Sequence, residues 1–172
     1  MNKKIIKIEA QKIYLRTLTE EDVSKKYCSW INDPEVNKYL DTKQATIEDL
    51  KSFVRERYND SNCVFLGIFL KNSDIHIGNI KLDQIDFKDK VANIGILIGE
   101  KDYWSKGFAT EALKTLINYA FNNLNLHEIR LNIYEQNFSA RRAYEKSGLF
   151  VYAEDYYGEE KIYRMKIIRD LN

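Results

Sequence analysis

Proline is nearly absent from this chain. Pro34 is the only one in 172 residues, and no Gly/Ser-rich tract stands in for a linker. The chain therefore reads as one domain, 1–172, without an internal boundary, a repeat or a low-complexity segment. Cysteine is also scarce. Cys28 and Cys63 lie far apart, so they are expected to be reduced, buried thiols rather than a disulfide framework or a metal knuckle. His76 and His127 are the only histidines and are too scattered to suggest a metal centre, so none is expected. Neither sign of charge is in excess. Twenty-seven Lys and Arg stand against 26 Asp and Glu, a net +1, which calls for neither nucleic acid nor an acidic membrane as partner. Long apolar runs are missing too. Behind Lys3 and Lys4, the stretch from Ile5 to Leu15 is interrupted by Lys7, Glu9, Gln11 and Lys12. It suits neither a signal peptide nor a membrane span, and a cytoplasmic location is expected.

What is present alternates strand-like and helix-like patterns. Ile13-Tyr14-Leu15-Arg16 ends a first strand. Three helix starts follow: Thr19-Glu20-Glu21-Asp22, then Asp33-Pro34-Glu35, then Thr46-Ile47-Glu48-Asp49, the last leading a helix to about Tyr58. Residues 63–70 and 75–82 read as strands of a hairpin joined by Asn72-Ser73-Asp74. Val91–Ile98 is a further strand, in which Gly95 signals a bulge or a close approach. Ala109, Ala112, Leu113, Leu116, Ile117, Ala120 and Phe121 recur at helical spacing. Ile129, Leu131 and Ile133 alternate with polar neighbours, as in a half-buried strand. A helix over 138–147 ends at Gly148, and strands at 150–156 and 161–168 flank Gly158. The order β-α-α-β-β-β-α-β-α-β-β predicts an α/β (α+β) sandwich of helices on a mixed sheet.

Two segments carry chemistry. In Tyr103-Trp104-Ser105-Lys106-Gly107-Phe108-Ala109-Thr110-Glu111-Ala112-Leu113, a polar turn with a glycine opens an amphipathic helix. The first N–H groups of a helix have no partner within it and its dipole favours negative charge, so this is a candidate phosphate cradle. The second is Asn137-Phe138-Ser139-Ala140-Arg141-Arg142-Ala143-Tyr144-Glu145-Lys146-Ser147-Gly148. Seven residues separate Asn137 from Tyr144, about two helical turns, which puts both on one face.

With these segments in this order, the chain resembles the GNAT superfamily of acetyl-CoA-dependent N-acetyltransferases over residues 13–165. The Tyr-Trp-x-Lys-Gly-x-Ala-Thr-Glu-Ala pattern is similar to the branch of ribosomal-protein N-terminal, polyamine and amino-sugar acetyltransferases. The resemblance implies a mostly antiparallel central sheet of about seven strands flanked by helices, with acetyl-CoA as co-substrate and no metal. It implies a pyrophosphate loop at Trp104-Ser105-Lys106-Gly107-Phe108-Ala109, where Gly107 and Ala109 match the family and Trp104 replaces its opening Arg or Gln. Lys106 is a candidate phosphate contact or a solvated lysine; Thr110 is a hydroxyl donor or a cap. Leu97, Ile98 and Gly99 map to the strand segment that pairs with pantetheine, where a backbone N–H also stabilises the oxyanion. Asn137 matches the pantetheine-binding asparagine, with a helix cap as the alternative. Tyr144 matches the general acid that protonates the CoA thiolate, with a packed tyrosine as the alternative.

An alkylammonium is mostly protonated at neutral pH, so the reaction asks for a base or a water relay. Glu100 is the first candidate, followed by Asp102 and His76. The acceptor region maps to residues 27–58, with Trp30, Asn32 and Tyr39 as pocket candidates beside Asp33, Glu35 and Asn37. The first acceptor expected is a small-molecule primary amine such as a nucleotide-linked amino sugar; a protein N-terminus is second and a polyamine third. A non-catalytic acetyl-CoA-binding module is the alternative of another class. A dinucleotide- or ATP-binding domain is disfavoured, since neither Gly-x-Gly-x-x-Gly nor Gly-x-x-x-x-Gly-Lys-Ser/Thr occurs. The chain is expected to be a monomer or a homodimer.

Overall fold

The computed structural model describes residues 5–170, so Lys3 and Lys4 lie outside it. The elements run β1 (Lys7–Glu9), β2 (Ile13–Thr17), α1 (Lys25–Asn32), α2 (Ile47–Asn59), β3 (Val64–Leu70), β4 (His76–Asp86), β5 (Val91–Ile98), α3 (Phe108–Asn122), β6 (Glu128–Tyr134), α4 (Phe138–Lys146), β7 (Phe150–Tyr157) and β8 (Glu160–Ile168). They form one eight-stranded sheet in the order β1-β2-β3-β4-β5-β6-β8-β7. All neighbours are antiparallel except β5 and β6. The predicted α/β sandwich is found, with eight strands rather than about seven. The addition is β1, a three-residue edge strand paired with Tyr14–Arg16 and too short to show a period in sequence.

Both faces of the sheet are covered, and β2 and β3 show why. Ile13 and Leu15 point into the core that holds Leu113 and Leu116 of α3, while Tyr14 between them points into the core that holds Leu50 and Val54 of α2. In β3, Leu66 and Ile68 share the α3 side and Phe65 and Phe69 the α2 side. A strand apolar at every position is the signature of burial on two faces. Helices α3 and α4 thus lie on one face and α1 and α2 on the other. Glu111, one turn into α3, pins that helix to the sheet: its Oε1 accepts the N–H groups of Lys12 (2.6 Å) and Ile13 (3.3 Å).

Two local expectations are corrected. Asp33-Pro34-Glu35 does not start a helix. Asp33 is the C-cap of α1, its Oδ1 accepts the Glu35 N–H at 2.9 Å, and only turns follow. The side chain of Asn37 explains this: buried, it donates to the carbonyls of Ile31 (2.8 Å) and Lys43 (2.9 Å), folding the segment back on itself. Thr19 opens a single 3-10 turn at Glu20–Asp22, and α1 begins later behind the Ser24 cap. Gly95 lies in regular register opposite Lys81, whose side chain crosses it; the irregularities of β4 and β5 fall between Asp83 and Asp86 instead. Both cysteines are free thiols: Cys63 is buried, its thiol pushed up to about 11 chiefly by burial, and Cys28 is half-buried.

Candidate active site

The site begins where the sheet comes apart. Strands β5 and β6 pair only through Val91, Ala92 and Asn93 against Glu128, Ile129 and Arg130. Beyond that, Ile94–Ile98 ladders only with β4, and Leu131–Tyr134 only with β8. Two strand edges that should pair diverge and leave a split through the sheet at their carboxyl ends, where parallel-strand sites are found.

Tyr144 lies in that split. It is the one buried residue of α4, and its hydroxyl lies by the Ile96 backbone N–H, which favours the phenolate. Burial drives its acidity well down, so the phenol keeps its proton far above the ordinary tyrosine range; the Ile96 N–H opposes this only in part. Asn137, at the head of α4, accepts the Ala140 N–H at 3.4 Å through Oδ1. That is the cap role, and it leaves the amide NH₂ as the group a ligand would meet.

The start of α3 is open. Gly107 is its N-cap with φ +86°, and no side chain caps it. Ser105 is also left-handed, at φ +58°, so two left-handed residues flank Lys106 ahead of the first N–H groups of the helix. A Cβ placed on Gly107 meets no atom within 4 Å. The glycine thus serves both the backbone conformation and an unfilled space, which fits a phosphate approaching the backbone. Lys106 is exposed beside this turn, with Nζ 6.0 Å from the Tyr103 ring, and Phe108 meets that ring edge-on. Ala109 and Thr110 are half-buried in the first turn of α3. Trp104 has a use that sequence did not reveal: its indole N–H donates to the Ile98 carbonyl at 2.8 Å, tying the loop to the end of β5.

Glu100 follows directly on β5, and both its oxygens are engaged. Oε1 accepts the Trp30 indole N–H at 2.6 Å and Oε2 pairs with Lys26 at 2.9 Å. Trp30 is buried against Gly99, where an added Cβ would fall 2.0 Å from the ring. Asn32 spans the loop to Ala45, donating to its carbonyl at 2.8 Å and accepting its N–H at 3.2 Å. Tyr39 reaches across the split, its hydroxyl donating to the Gln136 carbonyl at 2.9 Å. Asp33 and Glu35 both pair with Lys101. Of the acceptor candidates, then, Trp30 is packed inside, Asn32 and Asn37 shape a loop, and Tyr39 stands at the mouth. Lys26, Lys101 and Gln136 carry no sequence signal as site residues; for Gly78, a glycine within an apolar strand is the available signal.

His76 is a half-buried neutral imidazole. It stacks on Phe69 (4.6 Å), meets Trp30 edge-on (5.0 Å), and its Nε2 faces the Gly78 carbonyl (2.9 Å) and Asn79 Oδ1 (2.8 Å). Both partners are acceptors, so the proton sits on Nε2. Burial lowers its pKa, outweighing those two hydrogen bonds. A histidine with a depressed folded pKa binds its proton more readily when unfolded. Stability should therefore fall as pH drops below the unfolded value of about 6.5. Melting temperatures from pH 7.5 to 5 should show this slope, and His76→Gln should flatten it; an equal slope in the variant would remove His76 as its source. Among the described residues no group of three or more His, Cys, Asp or Glu is placed to hold a metal ion, and no helix is long and apolar enough to cross a membrane.

Comparison with known proteins now bears on this geometry. Residues 12–149 match the family model described as Acetyltransferase (GNAT) domain. A relative in Bacillus licheniformis, described as uncharacterized N-acetyltransferase p20, is 29% identical over 148 residues, covering 81% of this chain and 82% of its own. A GNAT-family acetyltransferase structure from Bacillus anthracis superposes with a TM-score of 0.84 at 22% identity, covering 95% of this chain and 98% of that one. Spermidine N-acetyltransferase from Vibrio cholerae, in complex with CoA and spermine, superposes with a TM-score of 0.81 at 21% identity, covering 91% of this chain and 95% of that one. At such identities these two structures speak for the fold. The split sheet, the open helix start behind Gly107 and the matched family model lead to one conclusion: the chain belongs to the GNAT family of acetyl-CoA-dependent acetyltransferases.

Proposed function

We propose that this enzyme moves the acetyl group of acetyl-CoA directly to a primary amine, with Tyr144 as the general acid. The observation that carries this reading is the placement of Tyr144, buried on α4 with its hydroxyl by the Ile96 backbone where β5 and β6 part. The β6-facing edge at the end of β5, over Leu97, Ile98 and the following Gly99, is the place for the pantetheine arm to add as a strand, with the Asn137 amide NH₂ beyond it. The loop at Ser105–Gly107 and the first N–H groups of α3, from Phe108 to Thr110, take the pyrophosphate, with Lys106 at its edge. The amine attacks the thioester carbonyl, the carbon–sulfur bond breaks, Tyr144 gives its proton to the leaving thiolate, and the proton shed by the acetylated nitrogen passes to water, from which Tyr144 is reprotonated.

Glu100 stands at the acceptor end of β5. Both its oxygens are already taken up by Trp30 and Lys26, which supports a positioning role better than proton abstraction. Glu100→Gln keeps an acceptor for Trp30 and loses the ion pair. Its kcat/KM is expected to fall by less than about tenfold; a loss of 10²-fold or more, with a changed pH profile, would restore the role of base.

The acceptor we favour first remains a small amine such as a nucleotide-linked amino sugar, ahead of a protein N-terminus and a polyamine. The loop over 33–45 carries Asp33, Glu35 and Asp41 with Lys38 and Lys43, and this mixed charge does not single out a polycation. Calorimetry with acetyl-CoA, ATP and NAD tests the donor assignment. Binding of acetyl-CoA alone is expected; preference for either nucleotide would overturn it.

A further inference from the structure

The segment between α1 and α2 is suspended across the mouth of the split. On the β5 side, Lys101, just past Ile98, pairs with Asp33 at 2.8 Å and Glu35 at 2.6 Å. On the β6 side, the Tyr39 hydroxyl donates to the Gln136 carbonyl at 2.9 Å, and the Tyr39 ring lies 6.1 Å from that of Tyr134, the last residue of β6. Between these anchors the segment is braced from within. Asn37 donates to the carbonyls of Ile31 and Lys43, the Lys43 ammonium donates back to those of Asn37 (2.9 Å) and Lys38 (2.8 Å), and Asn32 brackets Ala45. Val36 and Leu40 pack the strap on the α2-side core, and with its two polar ties it moves as a unit, about whichever tie holds longer.

The anchors differ in kind. The Lys101 pairs are solvent-exposed and weak. The Tyr39–Gln136 contact joins residues 97 positions apart and lands beside Asn137, which caps the helix carrying Tyr144. An opening through a sheet connects its two faces. Helices α3 and α4 occupy one, so a donor anchored at the start of α3 leaves the other, where the strap hangs, for the acceptor.

We propose that the Tyr39–Gln136 contact is a latch that sets acceptor selectivity: closed, it fixes the strap as the wall against which the amine is fitted. This rests on the transfer reading above. A single net hydrogen bond biases an open–closed equilibrium by a few-fold to about tenfold. Tyr39→Phe removes the bond and keeps the ring; Tyr39→Ala removes both.

The test measures kcat and KM for two amines, the best and a poorer one, in wild type and both variants, together with amide hydrogen exchange over residues 37–45. Tyr39→Phe is expected to speed exchange in the strap, raise the acceptor KM and reduce the ratio of kcat/KM between the amines about fivefold, with the acetyl-CoA KM unchanged. Tyr39→Ala should do more. Faster exchange with an unchanged ratio would overturn the proposal, as would equal rises in the KM of both substrates. Altered selectivity with unchanged exchange would also overturn it, making Tyr39 a direct acceptor contact. A wild type that acetylates no amine sinks the transfer reading and the acceptor role with it; an active wild type with an unmoved ratio in the variants sinks the latch alone.

Discussion

Tyr144→Phe is expected to lower kcat by about 10²- to 10⁴-fold, the usual loss when a positioned acid is removed. Acetyl-CoA affinity should hold within about threefold, because the hydroxyl contributes only once the thiolate is leaving. The ring stays buried, so packing is kept, but the Ile96 N–H is left without the hydroxyl beside it. That orphaned donor should cost about 1–3 kcal/mol of stability, visible as a modest drop in melting temperature. The pH profile carries a second signature. Burial keeps Tyr144 protonated well above the ordinary tyrosine range, so wild-type kcat/KM should rise with pH as the amine loses its proton, without a falling limb from Tyr144 in the usable range. A variant with unchanged kcat, or one that loses acetyl-CoA affinity in proportion to rate, would make Tyr144 a packing residue.

Gly78→Ala should be the most damaging single methyl in the site. Gly78 lies in β4 opposite Ile98, and a Cβ there would sit 2.2 Å from the Leu97 carbonyl oxygen and 3.0 Å from the Ile98 Cα. These are backbone atoms of the next strand, with no rotamer to relieve the clash. Overpacking of this kind costs typically 1–3 kcal/mol and more where the backbone must yield. The displaced segment, Leu97 to Gly99, is the edge proposed to receive pantetheine, and it is held from behind by the Ile77 carbonyl, which accepts the Gly99 N–H at 2.9 Å. The variant is therefore expected to melt lower and to bind acetyl-CoA at least about tenfold more weakly, as a strained edge loses its register. Calorimetric titration and thermal melting check both. Unchanged acetyl-CoA affinity in a folded variant would remove this strand edge from the donor site.

How far the sequence could be read depended on whether a feature is local. Phe108–Asn122 and Val91–Ile98 follow from their own periodicity, and the start of α3 from the turn chemistry around Gly107. The split between β5 and β6 is a register between strands separated by a helix, and no single segment encodes it. The failed helix at Asp33 has a similar cause, because Asn37 reaches back to Ile31 and forward to Lys43 and overrides a favourable start. Residue type alone does not give burial. Trp30, an attractive pocket aromatic, is packed against Gly99, and its one polar atom goes to Glu100. Asn137 was legible as a cap and as a ligand group at once, and the folded chain shows its oxygen capping while its NH₂ faces the question of the ligand.

The most direct test of the central claim is thiol release from acetyl-CoA across a panel of nucleotide-linked amino sugars, peptides with free N-termini, and polyamines. The account predicts release with at least one class, abolished to about the Tyr144→Phe level when that residue is changed. Tight acetyl-CoA binding without release for any class would contradict it and make this a binding module built on an acetyltransferase fold.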